Sequence, residues 1–177
     1  MAKYRRYRKY SRRAHGKWSP NITRLGPNTF NIGGQSREHV IHTLIENPVY
    51  ENTKANNVLR TKNVECTIEF ESPANTGSIF LESCTAYIMF LPEGYITNND
   101  TPIQHPEWIM AYQFFGSPMA EYDEPQTLKP LKRIRSRLSR NLNTGDRIVL
   151  VIEGTNTSNA TLQLAYQGLL RLWTKAN

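Results

Sequence analysis

From residue 64 to residue 71 the chain alternates without a break. Val64, Cys66, Ile68 and Phe70 are apolar, and Glu65, Thr67, Glu69 and Glu71 stand between them. In an extended chain successive side chains point to opposite faces, so this run is predicted to be a strand buried on one face and wet on the other. Such a half-buried strand belongs to a sheet with an apolar layer over its dry face. The whole run 58–71 reads as one long strand, and further β-type runs lie at 38–46, 78–91, 107–116, 131–142, 147–154 and 160–175. A short helix at Pro106–Tyr112 is the one competing reading. Polar stretches rich in Pro, Gly and Asn separate these runs: 47–57, 72–77, 95–106, 117–130, 143–146 and 155–159. Seven or eight strands without a confident helix predict an all-β sandwich or barrel.

Charge divides the chain. The first 17 residues, MAKYRRYRKYSRRAHGK, hold eight basic side chains and no acid, with Tyr4, Tyr7 and Tyr10 at every third position. Such a segment buries no core and is predicted to be a disordered, solvated arm whose partner is a polyanion. Residues 1–37 hold ten basic groups and no acid, which leaves 12 basic against 15 acidic side chains in 38–177, a net of −3. The arm therefore supplies the positive excess of a chain whose formal charge is +7, and two separate tasks are predicted. The expected layout is a basic arm at 1–17, a linker at 18–37 broken by Pro20, Gly26, Pro27 and Gly33-Gly34, and a β domain at 38–177.

Other chemistry is sparse. Cys66 and Cys84 make neither a disulfide framework nor a zinc pattern and read as buried strand residues. His39, His42 and His105 with Glu107 have no metal-ligand spacing, so no metal and no cofactor is expected. No nucleophile elbow, phosphate loop or zinc-protease motif is present, so no catalytic residues are assigned. The segment lacks the apolar core of a secretory signal, and no apolar run reaches the ~18 residues of a membrane span. The sequons at Asn21, Asn156 and Asn159 read as turn residues. Trp108, Tyr112, Phe114 and Trp173 are expected mostly in the core, and Gly168 as a bulge or break in the last strand.

Several phrases carry a resemblance. VLRTKNVECTIEF (58–70), AYIMFLPEGY (86–95), HPEWIMAY (105–112), IRSRLSRNLNTGDRIVLVIEG (134–154) and GLLRLWTKAN (168–177), with the Arg/Tyr-rich start, resemble capsid proteins of circovirus-like viruses, whose circular single-stranded DNA encodes a replication initiator. The resemblance implies a single eight-stranded jelly roll of two packed four-stranded antiparallel sheets, and an icosahedral shell of sixty subunits around a single-stranded DNA genome. It implies a virion protein that visits the host nucleus and assembles with itself. On that pattern strands B to G fall near 38–46, 60–71, 79–91, 108–115, 132–140 and 147–153, and H and I share 160–175. Two alternatives stay open: a satellite-type RNA virus coat protein, and a cellular single-stranded nucleic-acid-binding β-barrel with a basic tail.

Arginine suits phosphate because its planar fork donates two parallel hydrogen bonds and stays charged. Exposed base faces stack on aromatic rings. Lys3, Tyr4, Arg5, Arg6, Tyr7, Arg8, Lys9, Tyr10, Arg12, Arg13 and Lys17 are therefore the candidate nucleic-acid-binding residues, DNA being favoured by the resemblance alone. The same arm fits a nuclear-localisation signal read by import receptors. Arg133, Arg135 and Arg137 share one strand face, where like charges need solvent, acids or phosphate. Ion pairing between subunits, with Glu121, Asp123 and Glu124, is the reading favoured for them. An inner-surface nucleic-acid contact, or an outer site for a sulfated glycan, is the competing one.

Overall fold

A computed structural model describes residues 17–48, 58–71, 81–116 and 131–176. Nine strands occupy most of them: β1 (Ser19–Ile32), β2 (Ser36–Glu46), β3 (Leu59–Glu71), β4 (Leu81–Leu91), β5 (Ile109–Gly116), β6 (Lys132–Ser136), β7 (Arg140–Leu142), β8 (Arg147–Asn156) and β9 (Leu162–Ala176). A single-turn helix, α1 (Thr101–Gln104), and a 3-10 turn at Pro106–Trp108 interrupt the connection from β4 to β5. The competing helix reading thus survives only as that turn, with the aromatic run from Ile109 extended.

The strands form two sheets. One has the order β1-β9-β3-β6, with β7 also pairing β3; the other is β2-β8-β4-β5. Every pairing is antiparallel. With β6 and β7 counted as halves of one strand and letters B to I given in chain order, the sheets are B-I-D-G and C-H-E-F, an eight-stranded jelly roll.

The expected lettering is one strand out. Residues 18–37, expected as a linker, contain β1, which pairs with β9 along almost its whole length. Their glycines and prolines are tolerated because β1 is an edge strand and shifts register between Leu25 and Asn28, around Gly26-Pro27. At the other end 162–176 is one strand rather than two. β9 runs straight through Gly168, where an added Cβ would lie 2.3 Å from the Thr67 carbonyl oxygen. That glycine is a point of close strand approach, not a break.

The core lies between the sheets. Val64, Cys66, Ile68 and Phe70 of β3 are buried, as the alternation requires; they lie beside the Leu164–Leu172 row of β9 in the same sheet and share the core with Ile148, Leu150 and Ile152 of β8 in the other. Fully burying one such side chain stabilises the fold by ~1.5–3 kcal/mol. The strand at 147–154 is apolar on both faces, so its second face also needs cover. Val149 and Val151, with Met89 and Leu91 of β4, form a second apolar cluster on the outer side of the four-stranded sheet, beneath Tyr95, Trp108 and Ile109. The β4–β5 connection is therefore a lid over that sheet. Arg37 of β2 pins it: its guanidinium holds Glu153 through two hydrogen bonds of 2.7 and 2.8 Å, and its carbonyl accepts one from Asn99. The Glu153 bond raises the Arg37 pKa further above its ordinary value.

Buried polar groups are spent on turns. Asn156 donates from its amide to the carbonyls of Gly33 and Ala160, and Asp146 accepts from the backbone N–H of Asn143 and of Glu93. Of the sequon asparagines, Asn156 is thus a buried turn organiser, whereas Asn21 lies within β1 rather than in a turn.

Candidate nucleic-acid interface

The arm residues Lys3, Tyr4, Arg5, Arg6, Tyr7, Arg8, Lys9, Tyr10, Arg12 and Arg13 lie outside the described residues. Lys17 and Trp18 are its described root. They lead into β1 at Ser19, which pairs with Thr174 of β9. The arm thus joins the body at one end of the five-stranded sheet.

The outer face of that sheet follows from the register. On β9, Leu162, Leu164, Tyr166, Leu170 and Leu172 point inward, so Leu169, Arg171, Trp173 and Lys175 point outward. Their partners across the ladder are Arg24, Ile22 and Pro20 on β1, and Thr67, Glu65, Lys62 and Arg60 on β3. Beyond β3, Arg133 stands opposite Thr67 and Arg135 opposite Glu65. One face therefore collects Arg24, Arg60, Lys62, Arg133, Arg135, Arg171 and Lys175, against Glu65 and Glu69. Six of those cations and both acids belong to residues 38–177, so the rest of that region holds six basic and thirteen acidic groups. The body, acidic as a whole, is basic on this one face.

Within the face the cations differ. The Arg133 guanidinium donates to Glu65 at 2.5 Å, and Arg135 approaches the same carboxylate at 3.9 Å. Among the described residues the acid these arginines meet is Glu65; Glu121, Asp123 and Glu124 lie outside them. Arg137 is exposed and falls just past the end of β6; Leu138 beyond it is half exposed rather than inward. Arg60, Lys62, Arg171 and Lys175 have no carboxylate partner among the described residues. Instead the Lys62 ammonium sits 4.1 Å from the centre of the Trp18 ring, and the Arg171 guanidinium 4.6 Å from that of Trp173. Trp173, expected in the core, is on this outer face.

The sequence reading missed Arg24, Arg60, Lys62, Arg171 and Lys175 as a group. Arg171, Trp173 and Lys175 alternate visibly on one strand, but their alignment with Lys62 and Trp18 depends on a bulge in β3 between Lys62 and Glu65. Tyr112 and Phe114 also depart from expectation. They are 67% and 56% exposed on the outer side of β5, because the inward positions of that strand go to Ala111 and Phe115. The histidines are occupied separately: His42 bonds the Tyr166 hydroxyl, His39 bonds Asn99, and His105 stacks on Trp108 at 3.7 Å. Among the described residues no group of three His, Cys, Asp or Glu side chains is placed to hold a metal ion.

The fold so defined is an eight-stranded jelly roll. Among solved structures the chain is similar to a chain in the structure of Cocksfoot mottle virus, with TM-score 0.44 and 10% identity over 90% of this chain and 95% of that one. It is similar to the 60-mer BFDV capsid protein, with TM-score 0.38 and 9% identity over 92% and 95%. It is also similar to VP2 of infectious bursal disease virus, with TM-score 0.38 and 12% identity, where 87% of this chain matches 32% of that one. No protein-family model and no curated sequence matches the chain.

Proposed function

We propose that this chain is a capsid protein that assembles with itself into a small icosahedral shell of sixty subunits and packages single-stranded DNA through residues 1–17. The observation that carries the reading is the segregation of charge on a jelly roll: a cationic arm rooted at one end of a cationic sheet face, on a body otherwise rich in acids. Subunits packed with that side inward bring their arms into one enclosed volume, where each neutralised phosphate releases counterions. Sixty copies of residues 1–37 supply about 600 positive charges. The exposed Tyr112 and Phe114 give the body aromatic anchors of the kind that subunit interfaces use. In this reading the arm also serves as the nuclear-localisation signal.

Electron microscopy of the purified full-length protein tests the shell: closed particles are expected, and a protein that stays monomeric at high concentration, with or without single-stranded DNA, refutes it. Replacing the seven basic residues from Lys3 to Arg13 by serine should leave particles that have lost most of their nucleic acid. Particles with undiminished nucleic acid would show that the arm is not the main binder. Digestion of the extracted nucleic acid by DNase but not RNase is expected, and the reverse would make the particle an RNA coat.

A further inference from the structure

We propose that the outer face of the five-stranded sheet is itself a binding surface for single-stranded nucleic acid, centred on Trp18, Lys62, Arg171, Trp173 and Lys175, and that it continues the arm onto the folded body. The inference rests on the reading of the chain as a nucleic-acid-enclosing shell, and it assigns a place on the body where the strand is held.

Three observations converge. First, Lys62, Arg171 and Lys175 are cations without a carboxylate partner among the described residues, in a region, 38–177, where acids outnumber basic groups by 15 to 12. Lys175 of β9 stands directly opposite Arg60 of β3, a like-charge pair whose repulsion a polyanion would relieve, whereas Arg171 has Glu65 across the ladder and Lys62 has Trp173. Second, two tryptophan rings lie among them on a solvent-facing sheet, where a purely electrostatic counter-surface needs no aromatic group. Arg171, Trp173 and Lys175 alternate along β9, and Trp18, just ahead of β1, and Lys62 of β3 flank them, so cation and ring are interleaved as in the Arg/Tyr arm. A base stacking on either ring displaces the cation over it. That exchange is favourable, because a cation–π contact at an exposed ring is weaker than a stacked base, and the released cation can meet the next phosphate. Third, Trp18 directly follows Lys17 at the root of the arm, so a strand gathered by the arm is delivered to this face without a gap.

The test uses the full-length chain and a fluorescein-labelled oligothymidylate, with affinity followed by fluorescence anisotropy across a salt series. The variant Lys62→Ser/Arg171→Ser/Lys175→Ser should lower the magnitude of the salt slope by about 2, at ~0.7 for each phosphate no longer neutralised. The variant Trp18→Leu/Trp173→Leu should weaken binding of oligothymidylate several-fold while leaving an abasic oligonucleotide of equal length unaffected. Arg171 is exposed and the other four positions are half-buried on the outer face, and circular dichroism verifies that each variant is folded. A wild-type slope in the triple variant overturns the proposal. So does loss of heparin binding with oligothymidylate binding intact, which would make the face a sulfated-glycan site, or equal weakening on the abasic probe. Particle formation, scored by electron microscopy on the same variants, reports on shell assembly independently, so a failed binding surface and a failed shell are told apart.

Discussion

Gly168 offers the sharpest test of the sheet that carries the basic face. It lies mid-strand in β9, opposite Leu25 of β1 and Ile68 of β3. A Cβ added there would meet the Thr67 carbonyl oxygen at 2.3 Å, against an ordinary contact of at least 3.4 Å, so about 1.1 Å of separation must be found. The obstacle is backbone, and Thr67 is paired on both sides, to Leu169 and to Arg133. No side chain can swing away, so β9 and β3 must part locally. Stretching two or three ladder hydrogen bonds at ~1 kcal/mol net each gives a loss of about 3 kcal/mol for Gly168→Ala. At ~2–4 °C per kcal/mol for a domain of this size, the melting temperature should fall by roughly 6–12 °C. The measurement is circular dichroism at a concentration where sedimentation shows unassembled protein, since assembly adds stability of its own. Gly94 is the control. Its φ is +73° and nothing lies within 4 Å of an added Cβ. There Asn, which tolerates left-handed backbone, should be nearly neutral, whereas Asn at 168 should be at least as harmful as Ala. If Gly168→Ala melts within about 1 °C of wild type, the close approach of the two strands is wrong.

Two further outcomes are expected. Burial lowers the His42 pKa from its ordinary value, so the unfolded chain binds the extra proton more readily. The stability this contributes is full above the unfolded value of ~6.5 and is lost as pH falls through the lowered folded value. The urea midpoint should therefore drop between about pH 7.5 and pH 5.5, and drop less in His42→Gln, which keeps a partner for the Tyr166 hydroxyl without titrating; equal drops would exclude His42 as a source. Burial pushes the thiols of Cys66 and Cys84 up to about 12, so a disulfide reagent at neutral pH should label neither in the native protein and both after denaturation, and prompt native labelling would contradict their place in the core.

The local pattern determined a good deal by itself. The alternation at 64–71 put Val64, Cys66, Ile68 and Phe70 on a buried face, and the two-sided apolar run at 147–154 required cover on both sides. Each follows from the period-two geometry of a strand, which needs no knowledge of its neighbours. The unfoldable composition of residues 1–17 and the charge split are likewise properties of the chain read in one dimension. What the sequence could not decide was pairing. The Pro/Gly-rich stretch 18–37 looked like a linker because propensity is local, yet β9 supplies an edge on which 19–32 adds as a strand. That single strand moved the whole lettering by one. Gly168 read as a bulge or break because the nearby Thr67 carbonyl that requires it is 101 residues away in the chain. Most consequentially, the tertiary fold decided which cations are neighbours. Arg133 and Arg135, close in sequence, share Glu65 of the adjacent strand. Lys62 and Arg171, far apart in sequence, stand on one face beside Trp18 and Trp173. Charge density on a surface is set by strand register, and register forms only when the two sheets close over their common core.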